Sequence, residues 1–159
     1  GPSGSAALDN ISGNNTWGGT ITLGAAASIR NQSDTFTINN ASAIVTAGNQ
    51  LSLGGSSASG IISGVISGGG SVRKVAVGAW TLSGTNTFTG GVDLRAGTLN
   101  INNAQALGTS AGTFTVGGAG NAVIIDNTSG SPISTVNYPM ALNDNFTFTG
   151  TNNLNFGVP

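Results

Sequence analysis

Nine side chains carry all the formal charge of this chain: Arg30, Arg73, Lys74 and Arg95 against Asp9, Asp34, Asp93, Asp126 and Asp144. Glu, His and Cys are absent from the sequence. That inventory excludes thiol and imidazole nucleophiles, a histidine base and the usual zinc and transition-metal ligand sets. The five carboxylates stand 25, 59, 33 and 18 positions apart. Only a chain that coils every ~20–25 residues could stack a pair of them, above all Asp126 and Asp144. Ca²⁺ would ask for six to eight oxygens, more than such a pair supplies. Gly117-Gly118-Ala119-Gly120-Asn121-Ala122-Val123 opens like a Ca²⁺-binding nonapeptide, but Ala122 stands where the ligating Asp belongs. No catalytic residue, metal or other cofactor is therefore expected, and the chain reads as a non-enzyme. Four basic residues in a chain of net charge −1 cannot neutralise a phosphate backbone, so no nucleic-acid partner is expected.

Uncharged chemistry remains. Trp80 and Tyr138 are the candidate ligand-face residues, because aromatic rings stack on sugars; the alternation around Trp80 leaves both orientations open. Thr-x-Thr occurs seven times, starting at Thr20, Thr35, Thr85, Thr87, Thr113, Thr147 and Thr149. Flat Thr arrays resemble ice-binding surfaces, yet these instances follow no fixed period. Arg73, Lys74 and Arg95 could form a small basic spot facing Asp93, which at an exposed site is worth under about 1 kcal/mol.

The elements that would position these groups are strands. Gly (27), Asn (19), Thr (19) and Ser (18) make up just over half of the 159 residues, but 38% of the chain is apolar and its mean hydropathy is +0.16. Disorder goes with low hydrophobicity and high net charge, so ordered β-structure is the expectation. Short runs of period-2 alternation bounded by Gly, Asn or Ser recur: 20–23, 35–38, 43–46, 50–53, 61–66, 72–77, 80–83, 92–94, 98–101, 113–116, 122–125, 146–149 and 153–156. The one helical or looped candidate is Asn103–Gly108. No apolar run approaches the ~18 residues of a membrane helix, so insertion by this segment is not expected.

Internal repetition sets the architecture. Ile11-Ser12-Gly13-Asn14-Asn15-Thr16-Trp17 aligns with Leu82-Ser83-Gly84-Thr85-Asn86-Thr87-Phe88, 71 positions on, and with Phe148-Thr149-Gly150-Thr151-Asn152-Asn153-Leu154. An offset near 70 reads as about three turns of a coil whose short strands gain a core only by stacking. The predicted fold is all-β, a right-handed parallel β-helix of about six to eight turns. Its inward residues would include Leu23, Ile38, Leu53, Ile66, Leu82, Leu94, Leu99, Val116, Ile125 and Phe156. The alignment makes Trp17 the counterpart of Phe88, a packing residue. Residues 1–5 look like an expression-tag remnant, and 6–159 like a single β-helix segment cut from a longer repeat protein.

From Gly70-Ser71-Val72-Arg73-Lys74 through Trp80-Thr81-Leu82-Ser83-Gly84-Thr85-Asn86-Thr87-Phe88-Thr89-Gly90-Gly91 to Ala96-Gly97-Thr98-Leu99, the chain resembles the autotransporter-associated β-strand repeat, or passenger-associated transport repeat. That pattern runs roughly G-x-L-x-K-x-G-x-G-T-L-x-L-S-G-x-N-x-Y/F-T-G; Ala76 stands where Gly is usual. The resemblance implies a β-helical stalk of a secreted bacterial surface protein, aiding export and display, outside the cell and attached to the outer membrane through other parts. It transfers no catalytic residues. Expected partners are neighbouring turns of the parent chain and, at the open ends, another copy. An adhesin that binds glycan or matrix, or self-associates through a flat sheet face, is the alternative reading.

Overall fold

In the computed structural model, which describes residues 6–57, 59–117 and 120–157, the regular elements among the described residues are nineteen strands of two to five residues. They stack as three faces. The first face runs Leu8–Asn10, Ala27–Asn31, Leu51–Gly54, Val72–Lys74, Val92–Leu94, Phe114–Val116 and Met140–Leu142. The second runs Asn15–Trp17, Thr35–Ile38, Ser59–Ile62, Ala79–Leu82, Gly97–Ile101, Val123–Asp126 and Thr147–Phe148. The third begins with Ile21–Thr22, Ile44–Val45 and Ile66–Ser67 and ends with Ile133–Ser134 and Leu154–Asn155. Between them single backbone bonds keep the stack together, such as Thr87 N–H to the Ile66 carbonyl at 2.9 Å and Thr109 N–H to the Phe88 carbonyl at 3.0 Å.

Every strand pairs in parallel with its counterpart one turn away. The register advances by 19 residues from Trp80 to Leu99 and by 26 from Leu99 to Ile125. A strand that returns to a parallel neighbour does so right-handedly. The molecule is thus a right-handed parallel β-helix of about seven turns. At about 4.8 Å per turn the first face alone spans roughly 29 Å.

Period-2 alternation explains which side chains fill the interior. On the first face, register brings Leu8, Ile29, Leu53, Lys74, Leu94, Val116 and Leu142 into one inward column. On the second face, Phe36, Gly60, Trp80, Leu99, Ile125 and Phe148 form another. Of the ten residues expected inside, nine are buried and Phe156 packs half-buried against the same cluster. Each fully buried aliphatic or aromatic side chain contributes on the order of 1.5–3 kcal/mol. Gly60 is required by packing: a Cβ there would strike the Trp80 indole from the next turn. Ala76, where the repeat favours Gly, has φ 61°, so this corner demands the left-handed region and holds an alanine under strain.

The strands differ from expectation in instructive ways. The run 61–66 is two strands, Ser59–Ile62 and Ile66–Ser67, on different faces. Between them Gly64 packs so tightly on the Asn40 carbonyl that no side chain would fit. Five strands lie outside the expected runs: Leu8–Asn10, Asn15–Trp17, Ala27–Asn31, Ile133–Ser134 and Met140–Leu142. Asn103–Gly108 is a pair of tight turns, closed by Ala106 N–H to Asn103 O and Gly108 N–H to Gln105 O at 3.1 and 3.0 Å. The 71-residue offset does not follow the columns. Trp17 aligns with Ile38 on the second face, whereas Phe88 sits on the third, because turn length varies. Trp17 is consequently 42% exposed at one end of the stack and is no counterpart of Phe88, which is fully buried. Residues 1–5, the expected tag remnant, lie outside the described residues.

Candidate functional site

The first face carries most of the charge that is not buried. Arg30, Arg73 and Arg95 all lie on it, with Asp9 and Asp93. Asp93 accepts from Arg73 Nε at 3.1 Å and from Arg95 Nε at 2.6 Å, so the sequence placed this pair of arginines around Asp93 correctly. Two shallow grooves flank the network. One of about 440 Å³ is lined by Ser71, Thr89, Asp93, Arg95 and Thr115. The other, about 350 Å³, lies over Gly54 and Gly55 between Arg30, Gln32 and Val77.

Lys74 does not join that basic spot. It is fully buried, in an inward column otherwise built of aliphatic residues. Its Nζ donates to the carbonyls of Val75 (2.9 Å), Ala76 (2.8 Å) and Ala96 (2.9 Å). Three N–H groups meet three corner carbonyls drawn from two successive turns. Burial pushes the ammonium down to about 8. Reading Lys74 as an exposed residue missed this role. The signal was present in the alternation: Val72 and Lys74 share a parity, and Val72 belongs in the core.

Of the two candidate ligand-face residues, Trp80 needs correction. Trp80 is 1% exposed, and its indole N–H donates to the Gly54 carbonyl at 2.9 Å, so the ring faces the core and cannot meet a sugar. Alternation with Leu82 on the same inward parity decides the orientation that sequence left open. Tyr138 is half-buried against the core, and its hydroxyl donates to the Gly108 carbonyl at 3.0 Å and lies 3.3 Å from that of Ala104. Burial pushes that hydroxyl up to about 12. Tyr138 fastens the last turn to the loop above it while part of its side chain stays exposed.

The remaining polar residues hold turns together. Asn86, the Asn of the repeat's S-G-x-N, donates to the Ala106 carbonyl at 2.7 Å and accepts from Ile66 N–H at 2.8 Å, clamping a turn on each side. Asn10 donates to Asn31 at 2.8 Å within the corner between the first and second faces. Asp126 and Asp144 do not meet, since they lie at opposite ends of the second face. Burial pushes the Asp126 carboxyl up, but hydrogen bonds from Thr151, Thr149 and Asn127 outweigh it and hold it below its ordinary value. Asp144 accepts from Gly120 N–H at 2.9 Å. Gly118 and Ala119 of the nonapeptide-like run lie outside the described residues. The Thr-x-Thr instances are spread over all three faces: Thr20 heads the third, Thr35 and Thr147 lie on the second, and Thr115 on the first. Ile61, Ala79 and Ile124 interrupt the hydroxyls of the second face. No array of equally spaced Thr results among the described residues.

A stack whose polar side chains are spent on corners and whose apolar ones fill a continuous core defines a β-solenoid of the repeat class. Comparison with known proteins agrees. Residues 77–101 match the passenger-associated transport repeat family, so the chain carries that repeat. A 51-residue stretch, 32% of the chain, is 49% identical to the adhesin BmaC autotransporter of Brucella suis biovar 1 (strain 1330). That stretch covers 2% of the relative's length. No solved structure matches the chain.

Proposed function

We propose that this segment is a non-enzymatic passenger β-helix of a secreted bacterial surface protein, whose work is to fold outside the cell into a stiff spacer and to favour export as it does so. One observation carries the reading. The matched repeat spans one central turn and the strand that opens the next, and its Trp80, Leu82, Phe88, Leu94, Leu99 and Ile101 are buried, with Val77 its exposed apolar exception. The repeat's distinctive residues serve stacking, and parallel turns can add one at a time as chain emerges. To test this, the segment is placed between a reporter and an outer-membrane translocator, and surface display is compared for wild type, Leu82→Asp and Leu99→Asp. An unpaired charge in this core should unfold the segment and lower display several-fold. Undiminished display by a variant shown to be unfolded would overturn the export role.

A second reading, adhesion, is favoured by the placement of Arg30, Arg73 and Arg95 beside the two first-face grooves, and by the name of the Brucella relative. It is tested with a glycan and extracellular-matrix screen. Arg95→Ala is the informative control, because Trp80 is unavailable. Binding abolished by Arg95→Ala would support an adhesive first face; no binding, or binding that this change leaves intact, would leave the grooves without that role.

A further inference from the structure

The three arginines of the first face are the cations of this chain that reach solvent, since Lys74 is buried. Their hydrogen bonding leaves them short of acceptors. Asp93 takes Nε of both Arg73 and Arg95, at 3.1 and 2.6 Å, and their Nη groups make no hydrogen bond among the described residues. The Arg30 guanidinium has neither an ion pair nor a hydrogen bond among the described residues. Asp9, its register partner on the preceding turn, instead accepts from Gln32 Nε2, at 3.1 and 3.3 Å to its two oxygens. Each guanidinium therefore keeps its terminal amino groups for an anion. A planar carboxylate matches that fork with two parallel hydrogen bonds.

The forks stand on one wall of the stack. Register puts Arg30 against Gly54, and continuing it past Lys74 and Leu94 brings Val75 and Arg95 into the same outward column. Arg30 and Arg95 are thus three turns apart, roughly 14 Å along the stack. Gly54 keeps the way between them low: a Cβ there would lie 3.3 Å from Val75 Cγ2 and 3.8 Å from Arg30 Cγ. The groove of about 350 Å³ runs over this gap to Val77, which is 78% exposed, with Gln32 on its rim. Beside Arg95, the groove of about 440 Å³ carries the hydroxyls of Ser71, Thr89 and Thr115. Cations flank an aliphatic floor, and hydroxyls and an amide border it. These groups answer the carboxylates, C–H faces and hydroxyls of an acidic sugar chain.

We propose that the first face binds a linear polysaccharide containing uronic acid residues, laid along the stack with carboxylates on Arg30 and Arg95 and ring faces over Gly54 and the valines beside it. The proposal rests on the adhesive reading of this face and names its ligand class. An acidic peptide is the poorer occupant, because the backbone edges here are taken. Leu51–Gly54 pairs on both sides, with Ala27–Asn31 and Val72–Lys74, so no strand can be added. A densely sulfated chain is poorer too. Three arginines against Asp9 and Asp93 leave the outward charge of the face at one, too little to neutralise it.

The test is binding of the chain to alginate, polygalacturonate and hyaluronate, each against its methyl-esterified form, with dextran sulfate and polyglutamate as polyanion controls. At least one uronate polymer should bind, its ester should not, and affinity should fall as salt rises. Arg30→Ala and Arg95→Ala should each weaken binding roughly tenfold. Val77→Glu, which sets a carboxylate in the groove, should weaken it as well; thermal melts confirm that the three variants are folded. The proposal is overturned if no uronate polymer binds, if an ester or either polyanion control binds as tightly, or if the variants bind like wild type. Arg95-dependent binding of a neutral glycan or a matrix protein, without uronate binding, would overturn it and leave the adhesive reading standing. Binding of nothing at all would remove both.

Discussion

The corner between the first and second faces is closed in two ways. In the first turns, buried amides do it: Asn10 Nδ2 donates to Asn31 Oδ1 at 2.8 Å, and Asn31 Nδ2 donates to the Asp34 carbonyl at 3.0 Å. In the middle turns, Lys74 reaches from the core into the same corner and serves three carbonyls at once. Amides carry donor and acceptor together, so they stack turn upon turn without charge. An ammonium carries donors alone. It saturates carbonyls of two turns in one step, at the cost of burying a cation. The contrast shows that this fold's constraint at a corner is the satisfaction of inward carbonyls, and that the chemistry meeting it can change from turn to turn.

The sharpest way to break the contrast is to move the cation one turn. Leu53 occupies the same column as Lys74, but the neighbouring Gly54 carbonyl is already taken by the Trp80 indole. Leu53→Lys should bury an unserved ammonium and unfold the domain, a loss above about 4 kcal/mol. A near-native melt would show that the column tolerates a cation without its carbonyl cup. Next comes Lys74→Met, which keeps the stem and strands three carbonyls; about 3 kcal/mol should be lost, on the order of 10 °C in melting temperature. Asn31→Ala removes one acceptor and one donor and should cost about 2 kcal/mol in chemical denaturation.

The smallest effect is in pH. Lys74 binds its proton less tightly in the folded chain, about 8 against 10.5. Between those values the unfolded chain holds more protons, so stability rises with pH. Tyr138 acts oppositely: its hydroxyl stands at about 12 folded against 10.0. Above pH 10 the folded chain therefore holds more protons and stability falls. Urea unfolding should show a gain of up to about 2 kcal/mol from pH 8 to 10, then a decline. Lys74→Met should abolish the rise and Tyr138→Phe the decline; a flat wild-type profile would remove the linkage from both residues.

Much of this molecule was legible because stacking imposes a period that side chains must respect. Thr35–Ile38 and Val92–Leu94 are strands with the bounds their alternation implies, and the basic pair around Asp93 followed from neighbouring turns. What escaped was whatever depends on the backbone of another turn. Leu8–Asn10 is a strand because Ala27–Asn31 offers it a parallel edge, while its own three residues alternate poorly. Ser63–Val65 turns a corner because Gly64 can lie on the Asn40 carbonyl. Trp80 and Lys74 hid for one reason: residue type argued for the surface, while parity with Leu82 and Val72 put both inside.

The unequal length of the turns has a mechanical consequence. A chain pulled from one end would peel one turn at a time, and each turn holds a different number of residues, from the 19 between Trp80 and Leu99 to the 26 between Leu99 and Ile125. At about 3.5 Å per extended residue these would release steps of roughly 65 to 90 Å. A force–extension trace would then carry an uneven ladder whose rungs record the corners in order. Resistance should be greatest where Trp80 and Lys74 pin adjacent turns together.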